Sequence, residues 1–492
     1  MATKTGKQYI DSLRSIRRNS YILGQKVDNI VDHPMNKPAV NAIAESYEIP
    51  HIKGMQDFAA PTSRLCGQPI NRYNALSESV EDMLARGEME RTIGYRTAVG
   101  CPRSTGYDAI NAVYSIAHEV DEKHHTQYLE RFKKWLKNVQ ENDLAISGAM
   151  TDVKGDREKR PSQQADPDMY LHIVERKPSG IIVRGAKAHQ TGAVNCHEHL
   201  VMPTRGMNDE EKDYAVCFSI PVDAPGLFHI YGRQPSDTRK LENEASIDLG
   251  NSRFGGCETL MVFDDVFVPW ERVYLHGENE FTWPLVNRFA IGHRASYGLA
   301  GGGVGDVAIG LVVAMAEANG LAQDKIIWDK IADLIICCQT LYGLGLSAML
   351  KGKPTPSGVY FPDYVLGGVA KYNATTLPFQ ILRITQDICG GIVATMPAEQ
   401  DLRNEAIGKY IEKYLRGVPQ VPTEHRMRLV RLIECMTLGP LSADLLTMGL
   451  HGAGSPYPQK MMILSDYAEK IPALRDLALY HAGIRQDIGG II

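Results

Sequence analysis

The order of hydrophobic periodicities along the chain is the feature that most limits the folds open to it. Residues 1–145 are typical of helices, residues 146–277 of strands and loops, and residues 278–492 of helices again. In the first zone, residues 107–142 contain neither Pro nor Gly. Their apolar side chains recur at steps of three and four residues, as in an amphipathic helix. Periodicity alone therefore indicates a mixed α and β protein built in three zones.

Short apolar runs bounded by turn residues predict strands in the middle zone. Residues 171–174 and 181–183 flank the sequence Lys-Pro-Ser-Gly, whose Pro and Gly favour a turn. The glycine-rich segment 301–305 is interpreted as a helix start that lets another backbone or a ligand approach closely. Long helices are expected in the last zone at residues 304–319, 325–350 and 363–388.

Composition excludes several classes of function. The 492 residues carry a formal net charge of −5 and no basic excess, so nucleic acid is not an expected partner. No run of about 18 apolar residues suggests a membrane span, and no apolar leader follows Met1, so a cytoplasmic location is expected. The nine cysteines include no Cys-x-x-Cys pair, so neither a disulfide framework nor a zinc ribbon is expected.

The densest polar cluster lies in the middle zone, between His189 and His199. It contains three histidines and Glu198 within eleven residues, yet no further ligand stands at a metal-site spacing. A strand that hydrogen-bonds a flavin or a substrate is the favoured interpretation, with a structural network as the alternative. No Gly-x-Gly-x-x-Gly or phosphate-loop motif occurs, so a Rossmann-type cofactor site is not indicated.

Seven stretches spread over nearly the whole chain carry a resemblance to a known family. They are TGKQYIDSLR (5–14), QENDL (140–144), GAMTD (148–152), VRGAKAHQTG (183–192), YGRQ (231–234), FDDVFVP (263–269) and HGAGSP (451–456). These stretches resemble the 4-hydroxyphenylacetate 3-hydroxylase family, and within it the 4-hydroxybutyryl-CoA dehydratase branch. The resemblance implies an α+β fold of the acyl-CoA dehydrogenase type and an FAD cofactor. Its three domains would be an N-terminal helical domain (1–145), a β domain on the flavin side (146–277) and a C-terminal helical bundle (278–492).

The resemblance also implies roles for single residues. His293 would move the proton α to a thioester, with Glu258 as its partner or second acid/base and Tyr297 beside them. The residues expected to contact the cofactor are Met150, Thr151, Lys154, Arg157, His189, Gln190, Thr191, Gly390 and Gly391. The two glycines belong to a stretch that resembles the contact with the FAD adenosine of a neighbouring subunit, which implies a homotetramer.

The chain departs from the dehydratase branch where that branch holds a [4Fe–4S] cluster with three Cys and one His. Those Cys positions correspond to Gly100, Ser104 and Ala300, whereas the His is retained as His293. Cys101 lies one residue out of register. One thiolate and one imidazole cannot replace four ligands. No cluster, and no other metal, is therefore expected.

The expected function is FAD-dependent chemistry on a small acyl-CoA thioester: double-bond isomerisation, α,β-oxidoreduction, or an elimination that needs no cluster. Dehydration of 4-hydroxybutyryl-CoA is disfavoured, because an unactivated β-hydrogen needs more help than these residues supply. A carboxylate that the family places just before residues 451–456 is also replaced, by Met448. One alternative is a two-component aromatic monooxygenase supplied with reduced flavin by a reductase, in which Arg103 and Tyr107 would hold a phenol. The other is a flavin-binding paralogue without catalytic activity.

Overall fold

The computed structural model describes residues 3–100, 102–233, 238–241, 247–251 and 253–486, without the side chains of Pro440 and Asp444. Its helices are α1 Gly6–Arg14, α2 Lys37–Glu48, α3 Gln56–Ala59, α4 Val80–Thr97, α5 Ser104–His124, α6 Tyr128–Glu141, α7 Thr282–Ala318, α8 Lys325–Leu350, α9 Tyr364–Asn373, α10 Leu377–Asp387, α11 Ile392–Thr395, α12 Glu399–Arg403, α13 Gly408–Tyr414, α14 Thr423–Thr437, α15 Pro440–His451, α16 Pro456–Tyr467 and α17 Ile471–His481. Its strands are β1 Asn19–Ile22, β2 Gln25–Val27, β3 Ile146–Ala149, β4 His172–Lys177, β5 Gly180–Thr191, β6 Glu198–Val201, β7 Val216–Pro221, β8 Leu227–Tyr231, β9 Glu258–Pro269, β10 Val273–His276, β11 Lys353–Pro354 and β12 Tyr360–Phe361.

Two sheets form the middle of the molecule. The larger has the strand order β2-β1-β8-β9-β5-β4, and the smaller has the order β10-β7-β6-β3. Buried side chains of both sheets, such as Phe218 and Phe263, share one apolar core. The long strands β5 and β9 pair antiparallel so that Thr191 lies opposite Glu258. This register places both side chains at the end of the sheet that meets the C-terminal helices.

The N-terminal zone is not purely helical, because β1 and β2 add to the larger sheet. β1 pairs parallel with β8 and antiparallel with β2. The turn between β1 and β2 is Leu23-Gly24, and both residues have positive φ values, 51° and 80°. Such values match the turns that connect two-stranded hairpins. A Leu in the first turn position conceals this hairpin from sequence patterns.

The expected helix over residues 107–142 is divided into α5 and α6. α5 ends at His124, and the next residue, His125, caps it with a left-handed φ of 55°. The Asp121 carboxylate then accepts hydrogen bonds from the backbone N–H groups of Tyr128 (2.8 Å) and Leu129 (3.0 Å), at the start of α6. A capping carboxylate therefore breaks the helix without any Pro or Gly.

The glycine-rich segment 301–305 lies in the interior of α7, not at a helix start. A Cβ added to Gly303 would approach the carbonyl oxygen of Arg91 on α4 to 2.2 Å, and one on Gly94 would approach that of Ala300 to 2.8 Å. These glycines let α4 and α7 pack with their backbones in near contact, so the expectation of close backbone approach is confirmed.

Residues 279–318 and α8 are long and apolar enough to cross a bilayer, judged by length and composition alone. About half of each apolar segment, 50% and 44%, is buried inside the protein. Buried core helices commonly meet the same criterion, so the observation carries little weight. The expectation that the chain does not enter a membrane stays a prediction.

Candidate active site

A cavity of about 150 Å³ lies where the loop before α5, the end of β5 and the helices α7, α8, α10 and α15 meet. Its wall is largely apolar, and the side chains that form it include Leu341, Ile381, Leu382, Leu445, Leu446 and Met448. Glu90, Ser104, Thr191, His293 and Tyr297 also line it. An apolar cavity with a few convergent polar groups is the usual form of a small-molecule site.

His293 is the histidine of the cavity wall, and a buried carboxylate orients it. Its Nδ1 lies 3.0 Å from Oδ2 of Asp108 on α5. The Asp108 side chain is 1% exposed and that of His293 is 14% exposed. Phe289 stacks on the imidazole at 5.7 Å between ring centroids. A carboxylate at Nδ1 favours the tautomer with a proton there, which leaves the Nε2 lone pair available to the cavity as a base.

Arg86 connects this pair to a second buried carboxyl group. Its guanidinium lies 2.7 Å from Asp108 and 3.7 Å from Glu90, and all three side chains are 1% exposed. Burial alone would lower the pKa of Arg86, but the two carboxyl groups outweigh it and raise that pKa. Ser104 Oγ lies 2.5 Å from Glu90 Oε1. Burial raises the pKa of Glu90 to about 7, against the opposing charge of Arg86.

Thr191 and Glu258 form a polar pair at the sheet end of the cavity. The Thr191 hydroxyl donates a 2.7 Å hydrogen bond to Glu258 Oε1. The β5–β9 register places them directly opposite each other, and Thr191 lines the cavity. The neighbouring Gly192 has a φ of 69°, which ends β5 and turns the chain.

Tyr297 follows His293 by one turn of α7 and packs against it, with ring centroids 5.0 Å apart. The fully buried Lys371 places its ammonium 4.0 Å from the centre of the Tyr297 ring. It donates to the carbonyl oxygens of Met448 (3.3 Å) and Gly449. Burial, and then the charge of Arg294, lower the pKa of Lys371 to about 7.

Positive charge gathers where the β domain meets α15. Burial and the charge of Arg157 lower the pKa of Lys154, and Arg205 adds to the effect. Burial, Lys154 and His451 lower the pKa of His189. In Lys154 and His189, burial and the neighbouring positive charges thus both disfavour the cationic form, which a bound anion would favour.

Two family models match the chain. The N-terminal model of 4-hydroxyphenylacetate 3-hydroxylase matches residues 5–275, and the C-terminal model matches residues 284–476. The chain belongs to the 4-hydroxyphenylacetate 3-hydroxylase family. It is 45% identical over 489 residues to 4-hydroxybutyryl-CoA dehydratase/vinylacetyl-CoA-Δ-isomerase of Clostridium aminobutyricum, with 98% of this chain and 99% of that protein covered.

Solved structures confirm the expected fold. A 4-hydroxybutyryl-CoA dehydratase from N. maritimus superposes with a TM-score of 0.95 at 42% identity, covering 99% of this chain and 96% of that one. The oxygenase component of 4-hydroxyphenylacetate 3-monooxygenase, complexed with FAD, gives 0.82 at 23% identity and covers 97% and 100%. Glutaryl-CoA dehydrogenase gives 0.51 at 13% identity, covering 98% and 96%. The α+β acyl-CoA dehydrogenase-like architecture is therefore shown, and the family's members are enzymes.

The predicted cofactor contacts not yet described lie in two places, one beside the sheet and the other after α10. Met150 and Thr151 lie beside the sheet, where their carbonyl oxygens accept from Lys187 Nζ (2.9 Å) and from the Ala188 N–H (2.8 Å). Gln190 Nε2 also donates to Thr151, at 3.4 Å. Gly390 and Gly391 are exposed just after α10 and have open space around them. Their role as contacts to a neighbouring subunit's cofactor stays a prediction.

Arg103 and Tyr107, the predicted phenol-binding pair, are buried outside the cavity wall. The Arg103 guanidinium lies 4.2 Å from the Tyr47 ring centre and 3.8 Å from Asp143. The Tyr107 hydroxyl donates to Ser77 at 2.9 Å, and its ring lies under Arg86. The structure does not bring this pair to the cavity, and substrate binding by it stays a prediction.

The polar cluster between His189 and His199 divides in the structure. His197 accepts from the Ala145 N–H at 2.9 Å, and His199 lies 3.0 Å from His229. Glu198 pairs with Arg272 at 2.7 Å. These contacts hold β6 in the core, which agrees with the alternative of a structural network. Of the three histidines, His189 is the one on β5, two residues before the cavity-lining Thr191.

The positions that the resemblance assigns to a cluster all line the one cavity. Gly100, Ser104 and Ala300 lie on its wall together with His293. Among the described residues, none of the side chains on that wall is a cysteine. Cys101 lies outside the described residues.

Proposed function

We propose that this enzyme binds FAD and isomerises the double bond of a short acyl-CoA thioester by moving a proton along its chain. The observation that carries the proposal is the Asp108–His293 pair, an oriented imidazole base on the wall of an apolar cavity. Of the two family activities, this geometry suits acyl-CoA chemistry better. A phenol site would need Arg103 and Tyr107, and both are occupied elsewhere.

In this proposal, His293 Nε2 removes a proton from the carbon α to the thioester. Asp108 stabilises the imidazolium that forms and keeps the ring in place, as a carboxylate does behind a general base. The apolar side chains around the cavity hold the acyl chain and keep water from the carbanion-like species. Tyr297 is a polar group of the wall that can orient the thioester end, whereas the Thr191 hydroxyl donates to Glu258.

The residues at the junction of the β domain and α15 fit an FAD molecule. Its diphosphate is an anion, and Lys154, Arg157 and His189 together form a positively charged group that would bind it. The solved oxygenase relative is an FAD complex, which supports the assignment. Bound FAD supplies a redox-active ring, able to accept and return electrons, to the acyl site.

Changing Lys154 or Arg157 to Gln is expected to weaken FAD binding about tenfold each, because each loses one charge-assisted contact to phosphate. Titration of FAD into apo-protein, followed by flavin fluorescence, measures the effect. Lys159→Gln, whose ammonium pairs at the surface with Asp156 at 3.3 Å, is the control and should bind FAD as the wild type does. Unchanged affinity in both test variants would contradict this placement of the diphosphate.

The donor set of the cavity does not fit a [4Fe–4S] cluster, and no step is assigned to one. At the four positions concerned stand an imidazole, a hydroxyl, a methyl group and a glycine, none of them a thiolate. Iron analysis of anaerobically purified protein is expected to find far less than four irons per chain. About four would overturn this part of the proposal.

The function is tested with vinylacetyl-CoA in deuterated buffer. The holoenzyme is expected to form crotonyl-CoA, with deuterium at the γ carbon of the product and at the α carbon of recovered substrate. Absence of both, together with oxygen consumption when a flavin reductase and a phenol are supplied, would favour the monooxygenase. Bound FAD with neither reaction would favour the non-catalytic paralogue. A homotetramer and a cytoplasmic location are further proposals.

A further inference from the structure

Glu90 is a cavity-lining carboxyl group that the proposed function does not yet use. It lies on α4, fully within the protein, and meets the cavity together with Ser104. Its ionisable neighbours come from three helices: Arg86 on α4, Asp108 on α5 and, beyond Asp108, His293 on α7. The two cavity-lining ends of this row, Glu90 and His293, are thus joined through a buried Arg–Asp pair.

The row contains two carboxyl groups and one guanidinium. Asp108 takes the closer contact with Arg86, 2.7 Å against 3.7 Å for Glu90, and also receives His293 Nδ1. The buried Glu90 therefore interacts more weakly than Asp108 with the Arg86 guanidinium that they share. Burial favours the neutral form of such a carboxyl group and raises the pKa of Glu90 to about 7. A protonated Glu90 can donate a proton near neutral pH.

We propose that Glu90 is the second proton-transfer residue of the site, delivering a proton to the γ carbon of the acyl chain after His293 has removed one from the α carbon. The inference rests on the proposed function. A 1,3-proton shift needs one group at each end of a three-carbon unit, and Glu90 and His293 both line this cavity.

The step balances without an external oxidant or reductant. The α C–H bond breaks and its proton goes to His293 Nε2, while the electron pair forms the α–β double bond. The former β–γ double bond supplies the pair that takes the proton from Glu90, which forms the γ C–H bond. The resulting Glu90 carboxylate is stabilised by the Ser104 hydroxyl and by Arg86. The imidazolium then releases its proton to solvent, and Glu90 regains one.

The test compares Glu90→Gln with Glu88→Gln, whose side chain is exposed on the same helix, both as FAD-loaded proteins. For Glu90→Gln, γ-deuterated product is expected to form at least 100-fold more slowly than with wild type, since a general acid typically contributes 10²- to 10⁴-fold. Deuterium exchange at the α carbon should stay within about threefold of wild type. Glu88→Gln should match wild type in both. Equal losses at both carbons, or no loss, would overturn the role.

An infrared measurement keeps the inference separable from the proposed function. The wild-type spectrum near pH 6, minus that of Glu90→Gln, is expected to contain the carbonyl band of a protonated carboxylic acid. A carboxylate band in its place would refute a proton-donating Glu90 whatever the substrate is. If the wild type exchanges deuterium at neither carbon, the proposed function fails and the inference fails with it. If the wild type exchanges deuterium at both carbons and the Glu90→Gln variant does so at the same rates, the inference alone fails.

Discussion

His293→Gln is expected to lower the rate of α-carbon deuterium exchange and of isomerisation by about 10³-fold, the range lost when a general base is removed. Gln can keep a donor toward Asp108 but offers no basic nitrogen to the cavity. Because the Asp108 carboxylate keeps a hydrogen-bond donor beside it, the fold and the FAD content should stay those of the wild type. Exchange rates, flavin absorbance and thermal unfolding, all measured on the holoenzyme, check these three expectations.

The matched control is His481→Gln, at the exposed end of α17. It should leave every one of these quantities unchanged. The expectation is contradicted if His293→Gln retains more than a tenth of the wild-type exchange rate. Loss of FAD together with activity would instead assign His293 a role in building the site.

The sequence identified the residues that belong to recognisable stretches and missed those that act behind them. The family resemblance points to His293, Glu258, Thr191 and Tyr297, and the structure brings Thr191 and Glu258 together at 2.7 Å. Asp108 was missed, although it stands among small apolar residues of α5, where an acidic side chain needs a buried partner. Its contact with His293, 185 residues away, is not visible in local patterns.

Arg86 and Glu90 were missed for a different reason. Opposite charges four residues apart on a helix are common on solvated faces, where they contribute little. Here the same spacing lies on the buried face of α4, where the charges are withdrawn from water and their interaction is strong. For the fold, the three zones followed from periodicity, whereas the hairpin at Leu23-Gly24 and the break at His125 depend on backbone angles and a capping carboxylate.

Arg86→Met is expected to destabilise the protein by about 3–5 kcal/mol, the cost typical of leaving buried charges without their partner. Asp108 and Glu90 would then share the protein interior with no guanidinium between them. The midpoint of urea unfolding, measured on holoenzyme, should fall well below that of wild type. If too little soluble protein accumulates, Arg86→Lys restores the charge without the planar fork and should give an intermediate midpoint.

The loss should also depend on pH with a definite sign. Without the cation, the folded-state pKa of Glu90 rises further above its unfolded value near 4.5, so folding favours the protonated form. Such a group stabilises the fold below its unfolded pKa, and that contribution is lost as pH rises through the folded pKa. Between the unfolded pKa of Glu90 and about pH 7 both proteins lose this contribution in parallel, because Glu90 stays protonated in both folded states. The gap in midpoint between Arg86→Met and wild type should therefore widen only above about pH 7, where Glu90 ionises in the folded wild type but not in the variant. Arg14→Met removes an exposed ion pair with Asp32 and should change the midpoint little at any pH. A gap that is constant with pH would mean that Arg86 acts through packing alone, and Glu90 would then lose its electrostatic link to the His293 end of the site.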